Sequence, residues 1–215
     1  SKWTWNYFLS ALSGAIQMTY FLGLTGGIAS GKSTADEFFK KKKIPIIDSD
    51  LIAHKIMEIG QNGYKAVVDY FGTDILNDDQ TINRRKLGGI VFNDKAKLKK
   101  LNELTHPLVH QEIKQQMAQY RANQENLVVI DVPLLFESGF ESLCNGVLVI
   151  SITPELQIER LMKRNDFTKK EAIARINNQM PLSEKEKRAT YVVANTGTIG
   201  DLEKKLSDLL QEIGR

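Results

Sequence analysis

Short apolar runs alternate with stretches of helical period along this chain, and the alternation sets its expected architecture. Residues 20–24 read as a buried strand, 26–33 as a glycine-rich turn, and 34–43 as a helix with Phe38 and Phe39 turned inward. Residues 44–48 (IPIID) form a second short apolar run that ends in an acid. The span 51–71 reads as helical with an interruption near 60–63, and 77–80 as a polar turn. Leu98, Leu101 and Leu104, then Val109, Ile113 and Met117, carry helical spacing through 95–120. Pro107 falls between the two sets. It lacks an N–H and fits the first turn of a helix, so it is expected to end one helix and open the next. LVVID (127–131) and VLVISI (147–152) are continuous apolar runs, of the kind buried on both faces of a parallel sheet. Thr153 and Pro154 read as an N-cap and first helical position. Thr168 with Glu171, and Ser183 with Glu186, read as capping boxes. A short strand at 191–194 precedes an amphipathic helix marked by Ile199, Leu202, Leu206, Leu209 and Ile213.

Strands that alternate with helices predict an α/β fold, a parallel sheet with helices on both faces. The span 51–122 is mostly helical and is expected to form a separate lobe over the strand ends. Composition narrows the picture only a little. The 215 residues, 42% hydrophobic and 26% charged, suit one core with a small appended lobe. A net charge of +3 does not point to nucleic-acid binding. The single cysteine, Cys144, excludes an internal disulfide and a Cys-based zinc cluster, and reads as a small buried side chain. No apolar run is long enough to span a membrane, and the expected setting is reducing and cytoplasmic. Residues 1–17 hold both tryptophans, precede Met18 and lack the basic start of a secretory signal. They are expected to be a non-native or disordered extension, with 18–215 the functional domain.

Candidate chemistry begins at the glycine-rich turn. Gly26, Gly27, Ile28, Ala29, Ser30, Gly31, Lys32 and Ser33 satisfy G-x-x-x-x-G-K-[ST], after a strand and before a helix. Glycines let the backbone turn tightly and bring its N–H groups to an anion, and the helix start adds its positive end. Lys32 would reach the β- and γ-phosphates of a nucleotide, and Ser33 would place its hydroxyl on Mg²⁺. The motif predicts nucleotide phosphate binding without yet predicting a kinase; a nucleotide-binding regulator with no acceptor fits it as well.

Asp48-Ser49-Asp50 follows the second strand, and strand C-terminal ends border the ligand crevice of an open parallel sheet. A carboxylate there can accept the proton of an attacking hydroxyl or help hold Mg²⁺. Helix capping by Asp48 or Ser49 explains the same residues. Asp131 ends its strand as a Walker-B acid would, but Pro133, Leu134, Leu135, Phe136 and Glu137 follow at once, more like a pocket wall or core packing than a water-activating motif. Arg160, Lys163, Arg164, Lys169, Lys170 and Arg175 cluster within sixteen residues. They read as a solvated helix face or as a lid whose arginines neutralise phosphoryl charge.

Taken together and in order, these pieces resemble dephospho-CoA kinases: GLTGGIASGKST (23–34), IIDSDLIAH (46–54), INRRKLGGIVF (82–92), LTHPLV (104–109), VIDVPLLFESG (129–139), ERLMKRND (159–166), ARINNQM (174–180) and ANTG (194–197). The resemblance runs from residue 20 to the C-terminus. It implies a P-loop NTPase-type three-layer α/β/α fold with a parallel sheet, a helical acceptor lobe at 51–122 and a lid at 160–180. It implies transfer of the ATP γ-phosphate to the ribose 3′-hydroxyl of dephospho-CoA with Mg²⁺, by a monomer or weak homo-oligomer. By the same resemblance Asp50 is the base, Lys32 and Arg164 assist catalysis, and Thr34 ends the cradle. Arg84, His106, Pro107 and the stretch Pro133, Leu134, Leu135 and Glu137 fall on the acceptor side. Arg175, Asn195 and Gly197 match positions near ATP. Three positions depart from the family pattern: Ala29 where glycine is frequent, and Asn83 and Thr190 where acids are. Alanine at 29 is tolerable without strain if that residue takes an ordinary negative φ.

Overall fold

Five parallel strands form one sheet: β1 (Tyr20–Gly26), β2 (Ile46–Asp48), β3 (Leu127–Asp131), β4 (Gly146–Ser151) and β5 (Tyr191–Ala194). Their order across the sheet is β2-β3-β1-β4-β5. The computed structural model describes residues 18–214, so the extension expected over 1–17 lies outside the described residues. The continuous apolar runs are explained by burial on both sides. Phe21, Val128, Ile130, Val147 and Val149 face one layer, while Leu22, Leu24, Leu127, Val129, Leu148 and Ile150 face the other.

The first layer consists of α2 (Ser49–Ile56), through Ile52, and of α5 (Lys95–Ala122), through Val109, Ile113 and Met117. The second consists of α1 (Lys32–Lys41), through Ala35, Phe38 and Phe39, and of α9 (Ile199–Ile213), through Leu202, Leu206, Leu209 and Leu210. These are the three layers of an α/β P-loop fold. Phe39 is fully buried, and its truncation to alanine would cost about 3–5 kcal/mol.

A third apolar cluster lies apart from the sheet. Val67 of α3 (Asn62–Phe71), Ile75, Ile82, and Leu87 and Val91 of α4 (Arg84–Val91) pack together, with Leu98 and Leu101 of α5 against them. Helix α5 therefore serves two cores, the helical cluster with its first half and the sheet with its second. Pro107 does not divide it, contrary to the expectation from sequence. Thr105, Val109, Ile113 and Met117 form one buried i, i+4 ridge that runs past the proline. Pro107 itself is on the exposed side, where water can satisfy the carbonyl it leaves unpaired. Tertiary packing here outweighs the local penalty.

Helix ends follow their caps. Thr153 accepts from the Leu156 amide, and Pro154 opens α6 (Pro154–Asn165). Thr168 accepts from the Glu171 amide at the start of α7 (Lys169–Asn177). The expected box at Ser183 and Glu186 is absent, because α8 (Leu182–Arg188) starts after Pro181 with no side-chain cap. Glu186 instead accepts from the Ser151 hydroxyl. A capping box with both arms stands at Thr198 and Asp201 before α9. No helix among the described residues is long and apolar enough to cross a membrane.

Candidate active site

Strand β1 ends at the centre of the sheet, between β3 and β4, and there the chain turns into the glycine-rich loop. Gly26 to Ser33 wall one side of a cleft of about 590 Å³, with Pro133, Arg160, Lys163, Arg164 and Gln179 around the rest. The Ser30 amide donates to the Gly27 carbonyl at 3.1 Å, closing a turn. Ala29 sits inside that turn at φ 60°, so the condition for an unstrained alanine is not met: the residue holds a left-handed conformation that glycine adopts without strain. Gly31 has φ 91°, and a Cβ there would come within 2.1 Å of Asn195 Nδ2. Its glycine is required by backbone conformation and by the approach of Asn195 from behind. Thr34 stands one step further on, its amide donating to the Gly31 carbonyl at 3.0 Å.

Lys32 lies at the start of α1, with Nζ 2.5 Å from Asp131 Oδ1 and 3.7 Å from Asp36 Oδ2. Burial by itself would lower the lysine pKa, but the hydrogen bond and charge of Asp131, with Asp36 and Asp50 adding, outweigh it and hold the pKa above the usual value. Asp131 and Asp48 are register partners at the ends of β3 and β2. The Asp48 side chain accepts from the Asp50 and Leu51 amides, 2.9 and 3.1 Å away, so Asp48 is the N-cap of α2. The cap leaves Asp50, in the first turn of α2, exposed. Its carboxyl pKa is raised, first by desolvation and then by the charges of Asp48 and Asp131, with Lys32 pulling the other way. Asp36 is pushed higher, to about 8, by burial and by the adjacent Asp131 carboxylate. Its Oδ1 is buried and meets no donor.

The acceptor-side residues separate into open and closed ones. Pro133 lines the cleft and Leu134 is exposed, whereas Leu135 is fully buried in the sheet core and cannot touch a ligand. That corrects the sequence expectation for Leu135: the turn faces Pro133 and Leu134 outward and packs Leu135 and Phe136 together into the core. Glu137 is held by Lys185 Nζ at 3.3 Å and by the Met180 amide at 3.4 Å. Arg84 donates to the His54 carbonyl, 3.1 Å away, tying α4 to the end of the helix that carries Asp50. His106 and Pro107 line a groove of about 540 Å³ along α5. The His106 ring packs edge-on against Phe140 at 5.9 Å, and burial lowers its pKa.

A family model for dephospho-CoA kinase matches residues 20–201. The chain belongs to the dephospho-CoA kinase family. It is 96% identical to a dephospho-CoA kinase of Lactobacillus johnsonii over 92% of this chain and 100% of that protein. It is 51% identical to one of Lactobacillus acidophilus over 91% of this chain and 98% of that one. A solved structure named as dephospho-CoA kinase from Campylobacter jejuni superposes with a TM-score of 0.71 at 33% identity, covering 91% of this chain and 98% of its own.

Within this dephospho-CoA kinase fold the basic segment divides as well. Arg160, Lys163 and Arg164 line the cleft, while Arg175 stacks 5.6 Å over Phe167 and is not among the cleft-lining residues. Asn195 is buried behind the loop, its Nδ2 donating to the Ser30 carbonyl at 2.9 Å. Gly197 abuts Asp201 in the cap of α9, away from the cleft lining. No group of three or more acids or histidines among the described residues is arranged to hold a metal by itself, so Mg²⁺ would depend on Ser33 together with phosphate and water. Ser33 is exposed on the cleft, next in sequence to Lys32, whose ammonium feels the charges of Asp131, Asp36 and Asp50. Mg²⁺ is usually held by few protein oxygens together with phosphate and water, and a single exposed serine hydroxyl beside the phosphate-binding lysine fits that habit. The motifs gave no sign of Gln157, Lys185 or Asp36. Only an unusual burial, as of a lysine with no exposed surface, singles out Lys185, and that belongs to tertiary structure.

The Cys144 thiol is pushed up to about 12 by burial and by Glu141. It is a packed side chain and not a nucleophile.

Proposed function

We propose that this protein transfers the γ-phosphoryl group of ATP to the ribose 3′-hydroxyl of dephospho-CoA, giving CoA and ADP. The observation that carries the reading is Asp50. It is a carboxylate with a raised pKa, in the first turn of α2 after strand β2, within electrostatic reach of Lys32 in the loop built to cradle phosphates. Family membership supplies the identity of the acceptor. In this mechanism the backbone amides of the loop and the ammonium of Lys32 hold the β- and γ-phosphates. Ser33 would hold Mg²⁺, which when bound supplies charge neutralisation on the phosphates. Asp50 takes the proton of the 3′-hydroxyl as its oxygen bonds to the γ-phosphorus and the bond to the β,γ-bridging oxygen breaks. Arg160 and Arg164 face the same cleft and would balance charge on the transferring group. Pro133 and Leu134 offer an apolar edge to the acceptor. We place the activity in a reducing, cytoplasmic setting, in keeping with the single unreactive thiol.

The test is transfer of label from γ-labelled ATP with dephospho-CoA, with nucleoside monophosphates, or with no acceptor. Labelled CoA in the first arm alone is the expected result. Labelled nucleoside diphosphate would make this a nucleotide kinase, and nucleotide binding without turnover in any arm would make it a regulator.

A further inference from the structure

The cradle loop is held from behind by three buried side chains, two on different helices and one just past β5. Lys185 Nζ of α8 donates to the Gly26 carbonyl at 3.3 Å, and Lys185 has no exposed surface. Gln157 Nε2 of α6 donates to the Ile28 carbonyl at 2.8 Å, and Asn195 Nδ2 to the Ser30 carbonyl at 2.9 Å. The pinned carbonyls alternate along the loop. A trans peptide unit is planar, so its C=O and the next N–H point in opposite directions. The described residues contain no cis peptide. Fixing the carbonyls of Gly26, Ile28 and Ser30 therefore aims the amides of Gly27, Ala29 and Gly31 away from the pins. The glycines make room for them: a Cβ on Gly27 would meet Gln157 Nε2 at 2.7 Å, and one on Gly31 would meet Asn195.

Two of the pins also bracket the basic segment. Gln157 is one turn before Arg160 and two before Arg164 on α6, the helix that leads into 160–180. Lys185 lies just past its exit, and its second partner, Glu137, also accepts from the Met180 amide. Both stems of the segment are thus tied to the loop that would bind phosphate, and the exit stem also to the PLLFE wall.

We propose that Gln157 and Lys185 are positioning residues for phosphoryl transfer. They fix the loop's peptide planes, and they couple occupation of the cradle to the placement of Arg160 and Arg164. This rests on the reading of the site given above. The competing role is plain satisfaction of buried carbonyls, which costs stability when lost but leaves the folded enzyme's kinetics alone.

The variants Gln157→Met and Lys185→Met keep side-chain length and remove the donor. Wild-type transfer to dephospho-CoA is measured first, and its absence would overturn the reading of the site. The positioning role is then read without acceptor, from affinity for a non-hydrolysable ATP analogue and from hydrogen-exchange protection of 158–184 when that analogue is added. Expected are affinity weakened at least fivefold, loss of the ligand-induced protection, and kcat reduced at least tenfold per folded molecule with KM for dephospho-CoA within twofold. Wild-type affinity, protection and kcat in Gln157→Met, with only a lower Tm, would overturn the proposal. That variant decides the matter alone if Lys185→Met does not fold.

Discussion

Lys32 and Asp131 form an ion pair at 2.5 Å across the ends of α1 and β3, at the point where the cradle loop enters its helix. A nucleotide phosphate must compete with Asp131 for the ammonium. Asp131→Asn would relieve that competition. Binding of ATP without Mg²⁺ is expected to be at least as tight as in the wild type. Turnover with Mg²⁺ is expected to fall on the order of 10²-fold, since the field that positions the lysine and favours the cation is weakened. Calorimetry without metal and steady-state kinetics with it check the two halves separately.

Asp50 is the proposed base, so Asp50→Asn should leave ATP affinity within a few-fold and reduce turnover by about 10²–10⁴. The base must be ionised to work, and its pKa is raised, chiefly by desolvation. Activity should therefore decline as pH falls, with the acid limb above the ordinary aspartate value of 3.8. A pH–rate profile measured in the wild type and in Asp50→Glu should show that limb move with the substitution. Near-normal turnover in Asp50→Asn would remove Asp50 from the role.

Asp36 gives a pH dependence of stability. Its pKa rises from 3.8 to about 8 on folding, so the folded protein binds the extra proton between those limits. The contribution to stability is complete below the lower value and is lost as pH rises towards the upper one, with a slope of up to about 1.4 kcal/mol per pH unit. Asp36→Asn removes the titration and keeps a donor for Asp131. Denaturant unfolding should show the variant gaining on the wild type between pH 5 and pH 8 and levelling off above. A constant difference across that range would show that Asp36 does not titrate there.

Ala29 carries a left-handed φ of 60° in the cradle loop. A left-handed alanine costs about 1–2 kcal/mol, partly offset by the greater freedom glycine has when unfolded. Ala29→Gly is expected to stabilise the protein by about 0.5–1 kcal/mol, read as a higher denaturation midpoint with an unchanged slope. Affinity for ATP should stay within twofold, because the backbone already holds the glycine-like shape.

The chain's pattern of apolar runs determined the three-layer α/β fold, because strands buried on both faces need continuous apolar sequence and amphipathic helices need a 3.6 period. Local spacing also determined the cradle, since G-x-x-x-x-G-K-S is read within one turn of backbone. Other features depend on residues far apart in sequence, and only tertiary structure decided them. Pro107 stays inside α5 because the ridge of Thr105, Val109 and Ile113 is already committed to packing. Leu135 faces the core and Leu134 does not, although their types are the same. The side chains that hold the cradle, Gln157, Lys185 and Asn195, follow it by more than a hundred residues. Nothing in their local sequence marks them, because a donor becomes a pin only when folding buries it against a carbonyl that has no other partner.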